Sequence, residues 1–402
     1  MKNNLPKIAF IGAVTFEELT GSHILFYRLF KKYPPEKLLV IGSHKSRGTD
    51  SQIKRLPNVK YYIIEEHNGF PTANHPTSKY PPVRIFQKWW HYKPFFKACK
   101  NSIIKEVEAF QPDIILSLTM NIHWYIAYLI SKELKIPLDL VLHDRWEPNV
   151  GNKNVCAYLQ PKFKEVFQYA RKRFCISPTM ERYYYRQTGI HSDVLYPIGN
   201  ESTVRLEKQQ KEDKNPLTVV YFGNIWGNQP SLIDLAHILD KKEMRLVLFT
   251  NRDLSFFEAN GLKSKNVEAN GFLKNEDLLS WCKEQADILY LPMYFDKGEQ
   301  DMIQCSFPSK LVDYLSTGLP IILQAPKIAS IIKFAELNKD SPFAEVLIDD
   351  NIEVLETAMQ KLSDSTYRKS LGDNSLKVWK KYFSADIIRS SFLEHYKKNN
   401  IV

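Results

Sequence analysis

Short apolar runs alternate with helical segments along this chain, and the alternation stops once and then starts again. In the first half the runs fall at Ile8–Ile11, Leu38–Ile41, Tyr61–Ile64, Ile114–Leu118, Leu138–Leu142, Phe174–Ile176 and Val194–Tyr196. Helical periodicity predicts helices over 22–32, 95–109, 122–134 and 178–187. Several runs are apolar at every position, as strands are when helices cover both faces of their sheet. Strands alternating with helices imply a parallel sheet, because parallel strands need long crossover connections.

The break is Leu-Glu-Lys-Gln-Gln-Lys-Glu-Asp-Lys-Asn-Pro at 206–216. Charge density and the closing proline mark a solvated linker. The pattern resumes with strands at Thr218–Phe222, Arg245–Phe249, Val267–Ala269, Ile288–Leu291, Ile321–Leu323 and Glu345–Ile348. Helices are predicted over 230–239, 275–285, 308–317, 351–363 and 366–380, with a last one at about 384–397. The expectation is an α/β chain of two Rossmann-like, doubly wound domains, 1–200 and 217–382, joined by a linker at 201–216 and followed by a C-terminal segment at 383–402. A chain of 402 residues is long enough for two domains at roughly 100–200 residues each. Open α/β sheets bind ligands at the carboxyl ends of their strands, so a cleft between two such sheets is the expected site.

Composition excludes other classes. Hydrophobic residues make up 44% and charged residues 25%, close to a globular average and unlike disordered or fibrous chains. No apolar run approaches the roughly 18 residues that cross a bilayer. The start lacks a signal peptide's apolar stretch, and a cytoplasmic location is expected, peripheral at the inner face of the membrane. Five scattered cysteines form neither a disulfide framework nor zinc-ligand spacing. The net charge of +10 lies entirely in the first half, where residues 1–200 hold 29 Lys/Arg against 16 Asp/Glu. No acidic residue occurs from His67 to Lys105. An anionic partner is implied.

The segment richest in chemistry is Ser306-Phe-Pro-Ser-Lys-Leu-Val-Asp-Tyr-Leu-Ser-Thr-Gly-Leu-Pro-Ile-Ile. Pro308 suits the first turn of a helix. Gly318 suits its C-terminal cap, and Pro320 stops it. Lys310 and Asp313 share one face near the N-terminus. A helix N-terminus with a lysine attracts anions, and a carboxylate one turn on can hold two ribose hydroxyls. The plainer alternative is a surface Lys–Asp pair on an amphipathic helix.

This segment resembles the donor-binding helix of GT-B glycosyltransferases, above all the retaining family 4. There Pro-x-Lys-x-x-(Glu/Asp)-Tyr-x-x-x-Gly-x-Pro holds the nucleotide's ribose and phosphates. Asn270-Gly271-Phe272-Leu273, Glu276–Leu279 and Ala286–Pro292 resemble the family's base-binding strand, helix and following strand. Val220–Asn224 resembles its first strand and turn of that domain. The likeness covers about 216–325 well and the first half more loosely. It implies that Gly271, Phe272, Leu273, Asn224, Ser309, Lys310 and Asp313 bind the donor. Two departures stand out. Cys305 occupies the place of a second glutamate, and Gly223-Asn224-Ile-Trp-Gly-Asn replaces a turn where many members carry Arg and Lys. Lys310 then supplies the charge for a diphosphate, with Arg252 and Lys274 as outside candidates. No Asp-x-Asp occurs, so transfer without a metal or other cofactor is expected, the nucleotide-sugar being donor substrate.

In the first half, His143-Asp144 stands at a predicted strand end, where a histidine can reach a sugar hydroxyl or a departing phosphate and an aspartate can orient it. Relatives often have a histidine there that reaches the donor sugar. Arg145 and Glu147 are weaker acceptor-side candidates, and a structural histidine is the plain alternative. Gly21 and Ser22 open a helix after the first strand, where many relatives carry a glycine-rich turn; a simple capped helix start explains them equally. Lys79–Lys97 interleaves Lys/Arg with Trp, Tyr and Phe, which suits an anionic membrane surface, as relatives use near their acceptor; the patch is placed at 79–100. Core aromatics beside solvated lysines explain the same residues. No nucleic-acid-binding module is recognisable, so no nucleic-acid partner is expected. Ser177-Pro178 and Pro197–Asn200 resemble a helix start and a hinge, and the last helix resembles one that crosses back to the N-terminal domain.

The resemblance implies transfer of a sugar from a nucleotide-sugar to a hydroxyl of a glycan or lipid-linked saccharide, with retention. The alternatives are a non-catalytic GT-B subunit that binds a partner or glycan, and a GT-B nucleotide-sugar epimerase.

Overall fold

The structure is a computed structural model that describes residues 5–18, 21–43, 54–64, 81–150, 153–200, 216–225, 227–296 and 298–396. The linker stretch 201–215 lies outside the described residues, as do residues 79–80 and the side chains of 81–91 in the basic-aromatic stretch. The chain divides into two compact units, Met1–Tyr196 with Ile388–Val402, and Pro197–Ile387.

The first unit has seven strands, β1 (Ile8–Gly12), β2 (Leu38–Ser43), β3 (Lys60–Ile64), β4 (Ile114–Leu118), β5 (Leu138–Leu142), β6 (Lys172–Cys175) and β7 (Asp193–Val194). They pair in the order β3-β2-β1-β4-β5-β6-β7, all parallel. Every residue of β1, β4 and β5 is buried, which explains why these strands read as apolar runs broken only by Ser117, which donates to the Ile11 carbonyl, and Asp139, which pairs with Arg171. The helices are α1 (Ser22–Phe30), α2 (Pro81–Phe110), α3 (His123–Leu134), α4 (Trp146–Asn149), α5 (Lys153–Tyr169) and α6 (Pro178–Thr188).

Three helices of this unit, α2, α4 and α5, differ from the sequence expectation, as do the helices at Leu254–Ala259, Gln300–Cys305 and Ser330–Leu337 further on, which like α4 have no counterpart in it. Helix α2 begins at Pro81 and carries Pro94 inside it, where 95–109 was expected. Pro94 is exposed, so its missing N–H faces no buried carbonyl demand from the core side. Helix α5 has no counterpart in the expectation. Its buried Val155, Tyr158, Leu159, Phe163, Val166 and Phe167 recur at helical spacing, but Pro161 sits in the middle. Tyr92 and Phe96 of α2 are buried and meet the Tyr158 ring of α5 at 5.3 and 5.6 Å. For these two aromatics the core reading of the stretch holds, while Lys93 and Lys97 are exposed.

The second unit has β8 (Thr218–Phe222), β9 (Arg245–Phe249), β10 (Val267–Asn270), β11 (Ile288–Pro292), β12 (Ile321–Gln324) and β13 (Ala344–Leu347), in the order β10-β9-β8-β11-β12-β13, again all parallel. Its helices are α7 (Gln229–Lys241), α8 (Leu254–Ala259), α9 (Asn275–Gln285), α10 (Gln300–Cys305), α11 (Lys310–Thr317), α12 (Ser330–Leu337), α13 (Ile352–Lys361) and α14 (Ser365–Tyr382). Central β8 and β11 are wholly buried, whereas edge strand β10 alternates. That contrast follows from edge strands having one neighbour.

The last helix, α15 (Ala385–Glu394), carries the chain into the first unit. Arg389 Nε donates to the Arg28 carbonyl at 2.8 Å. Phe392 meets the rings of Phe30 and Phe174 at 5.8 and 5.3 Å. Tyr396 is fully buried, with the Arg171 guanidinium 5.5 Å from its ring. Each such aromatic contributes ~1.5–3 kcal/mol by burial, so the return is held by packing. Among the described residues no helix is long and apolar enough to cross a membrane.

Candidate functional site

In each unit the strand order reverses once, between β1 and β4 and between β8 and β11. Loops that leave two such strands go to opposite sides and open a crevice at the carboxyl ends. The predicted site residues fall at these two edges.

In the second unit, β8 ends at Phe222 and the chain turns at Gly223 with φ 118°. Only glycine takes this conformation without strain. A Cβ at this position would also lie 2.6 Å from Lys310 Nζ. The bare backbone makes room for the lysine. Lys310 Nζ donates to Tyr221 Oη at 2.9 Å and to the Asn224 carbonyl at 3.1 Å, and it stands 4.6 Å from the Tyr221 ring centre. The Tyr221 hydroxyl donates in turn to the Asn224 carbonyl. Among the described residues no carboxylate pairs with Lys310. Burial pushes its pKa down to about 8, since a charged ammonium loses hydration there. Two of its three protons are engaged by neutral oxygens, which leaves a cation prepared for an anion.

Lys310 opens α11, and its neighbour Ser309 makes no side-chain cap to that helix. The helix is anchored by Tyr314, whose buried hydroxyl accepts from Phe222 N and donates to the Tyr290 carbonyl, both at 3.1 Å. One side chain thereby ties α11 to the ends of β8 and β11. Gly318 ends the helix at φ 69°, as its sequence position predicts. Asp313, one turn into α11, accepts from Asn275 Nδ2 at 3.1 Å. Asn275 opens α9, directly after the loop that leaves β10. That loop is Gly271–Lys274, in which the adjacent Phe272 and Leu273 are 57% and 43% exposed. Gly271 has open space where a side chain would stand. Of the outside candidates, Arg252 covers the Phe256 ring at 4.8 Å, and Lys274 is the residue before Asn275, at the start of α9. Cys305 is fully buried at the end of α10.

In the first unit, His143 follows β5 and is 7% exposed. Its Nδ1 lies 3.3 Å from Asp144 Oδ2, and its buried Nε2 has no hydrogen-bond partner. The aspartate thus stands where it can fix the tautomer and leave Nε2 for another group. Arg145 and Glu147 approach each other at 3.4 Å, and Arg145 lies 5.6 Å from the Tyr183 ring. Gly21, at φ 59°, precedes α1 and faces open space, and Ser22 is buried as the first helical residue.

Several groups at these edges were not expected from sequence. His123, the first residue of α3 after β4, is buried. Its pKa is pushed down to about 4 by that burial, and its Nδ1 has no partner. Glu17 is fully buried in the loop after β1 and accepts from Arg55 Nε at 2.9 Å. In the second unit the additions are Tyr221 and Asn275; Tyr314 stands in the motif, which gave no hint of its anchoring bonds. A hydrophobic strand tyrosine and a helix-start asparagine carry no signal that separates them from ordinary residues of those elements. Among the described residues no group of three His, Cys, Asp or Glu gathers in metal-ligand fashion.

No protein-family model matches the chain, and no curated protein matches it. Solved structures do. The Anabaena HepE complex with UDP and glucose aligns over 97% of this chain and 98% of its own, with TM-score 0.64 and 14% identity. An α,α-trehalose-phosphate synthase (UDP-forming) from Burkholderia vietnamiensis aligns over 97% and 99%, with TM-score 0.62 and 10% identity. The lipopolysaccharide outer core galactosyltransferase WaaB aligns over 98% and 96%, with TM-score 0.55 and 16% identity. At such identities the likeness is one of fold. Two parallel Rossmann-like units with a C-terminal return, matched over nearly the whole length of these enzymes, make this the GT-B fold.

Proposed function

We propose that the protein is a glycosyltransferase that moves a sugar from a nucleoside-diphosphate sugar to an acceptor hydroxyl. The observation that carries this reading is Lys310. It is a lysine held by neutral oxygens at the start of α11, beside the β8/β11 switch point, with a carboxylate one turn further on. A diphosphate leaving group needs such positive charge where it departs. In this reading Lys310 and the start of α11 with Ser309 bind the diphosphate. Asp313 takes ribose hydroxyls, and the backbone of Gly271–Leu273 with the turn at Asn224 borders the base and phosphates. His143, oriented by Asp144, offers Nε2 to the sugar or to the departing phosphate. Gly21 and Ser22 border the donor phosphates or the acceptor. The acceptor is a glycan or lipid-linked saccharide, and transfer proceeds with retention, without a metal, the leaving phosphate assisting deprotonation of the acceptor. The fold shared with HepE, whose complex holds UDP and glucose, supports a nucleotide-sugar donor. The positive first half and the exposed Lys93 and Lys97 support an anionic acceptor or membrane surface, and a cytoplasmic, membrane-peripheral location.

The test is thermal unfolding with UDP, GDP, ADP, CMP and their sugar conjugates. A ligand at ~100 times its Kd stabilises by ~2.7 kcal/mol. One nucleoside diphosphate is expected to raise Tm selectively, and Asp313→Ala to remove that rise. If no nucleotide shifts Tm and no nucleotide-sugar is hydrolysed slowly in the absence of acceptor, the catalytic reading fails in favour of a non-catalytic subunit.

A further inference from the structure

The Asn275–Asp313 hydrogen bond joins the starts of two helices of the second unit, α9 and α11. Asp313 lies on α11, and Asn275 lies on α9, two residues after Leu273. The bond between them is 3.1 Å long. A carboxylate only accepts hydrogen bonds, so the asparagine must present its NH2 group, and the assignment of oxygen and nitrogen in this amide follows from its partner. The amide oxygen is buried and has no partner among the described residues. The carboxamide is therefore committed to Asp313 on one side and makes no competing bond on the other. A carboxylate that is free to rotate would lose orientation when a diol arrives; one tied through Oδ2 does not.

We infer that Asn275 is a positioning residue. It holds the Asp313 carboxylate in register with the Gly271–Leu273 segment, so that the site takes a ribonucleoside diphosphate and discriminates against one lacking the ribose hydroxyls. This rests on the donor-site reading above. The specificity arises because base segment and ribose carboxylate are set at one separation by one side-chain bond, while Lys310 engages the diphosphate independently of it. Loss of Asn275 then affects the ribose contact and spares the phosphate contact.

The experiment is calorimetric titration of the full chain with UDP, GDP and ADP, with their 2′,3′-dideoxy counterparts, and with inorganic diphosphate. The wild type is expected to bind one ribonucleoside diphosphate about tenfold or more tighter than its dideoxy form, the scale of one or two hydrogen bonds. Asn275→Ala is expected to weaken the ribonucleotide about tenfold, while the dideoxy form and inorganic diphosphate change by less than about twofold. Asn275→Asp keeps the shape, places a second carboxylate against Asp313, and is expected to weaken the ribonucleotide at least as much. Two results overturn the inference alone: both nucleotide forms weakening equally in Asn275→Ala, or Asn275→Asp binding the ribonucleotide like wild type. Failure of the wild type to bind any of the nucleoside diphosphates overturns the donor-site reading itself, and the inference with it.

Discussion

The carboxyl edges of the two sheets share a strand order and a switch point but differ in chemistry. In the second unit the edge is charged, and its charges are engaged: Lys310 by Tyr221 and Asn224, Asp313 by Asn275. In the first unit the edge carries Glu17, Asp144, Arg145 and Glu147 and, beside them, buried polar atoms without hydrogen-bond partners among the described residues, Thr15 Oγ1, Asn121 Oδ1, His123 Nδ1 and His143 Nε2. Each unsatisfied buried polar atom costs ~1–3 kcal/mol, and such atoms are rare in folded proteins. The same scaffold thus presents one edge suited to an anion and one suited to hydroxyl groups. The overall charge hides this, because the first half is the more basic while the lysine at a switch point belongs to the second.

The sharpest way to break the comparison is Lys310→Ala. If the second edge is the anion site, kcat/KM for the donor should fall by roughly 10²–10³, the scale of one lost electrostatic contact at a leaving group. A loss of less than threefold would leave the two edges chemically indistinguishable. His143→Gln tests the edge of the first unit. It should lower kcat by about 10²-fold, the lower range of a proton-handling or charge-stabilising group, with the Kd for nucleoside diphosphate unchanged. A parallel loss of nucleotide affinity would mean that the edges do not divide the labour.

A pH series sharpens the assignment of charge. Burial lowers the Lys310 pKa to about 8, and the anion prefers the protonated form. Nucleoside diphosphate affinity should therefore be full below pH 8 and fall by up to ~10-fold per unit above it, in Lys310→Met not at all. The sign for stability is the reverse. With a depressed folded pKa, the unfolded chain binds the proton more readily, so the penalty from Lys310 is present below about pH 8 and relieved as pH rises toward the unfolded value. The smallest effects separate two glycines of one edge. Gly223→Ala meets both a φ of 118° and the lysine, and should cost ~1–3 kcal/mol in unfolding together with donor affinity. Gly271→Ala meets open space and should leave Tm within about 2 °C, given that surface changes stay within ±0.5 kcal/mol.

Much of this was legible in the sequence because it is local. Fully buried strands such as β8 show it as a run of four apolar residues, Val219–Phe222, after Thr218. The start of α6 is written as Ser177-Pro178, and the serine does cap Met180 N at 3.2 Å. Gly318 and Pro320 end α11 where they stand. The Lys310–Asp313 spacing placed both groups on one helix face. Where local signals conflicted, the reading missed. Pro161 and Pro94 hid α5 and the first half of α2, although a helix tolerates a proline whose lost hydrogen bond faces solvent.

What the sequence determined by itself was the set of strands and most of the longer helices, since strand and helix periodicity report on burial residue by residue. What only the tertiary structure decided was which side chains meet. Tyr221 reaches Lys310 across 89 residues and Asn275 reaches Asp313 across 38. Arg389 finds the Arg28 carbonyl 361 residues away. The same is true of Tyr92 and Phe96, whose sequence context of lysines and aromatics fits a membrane face as well as a core, and which are buried because α5 packs against them. Periodicity records that a residue is covered; strand order and the packing of helices on the sheet determine by what.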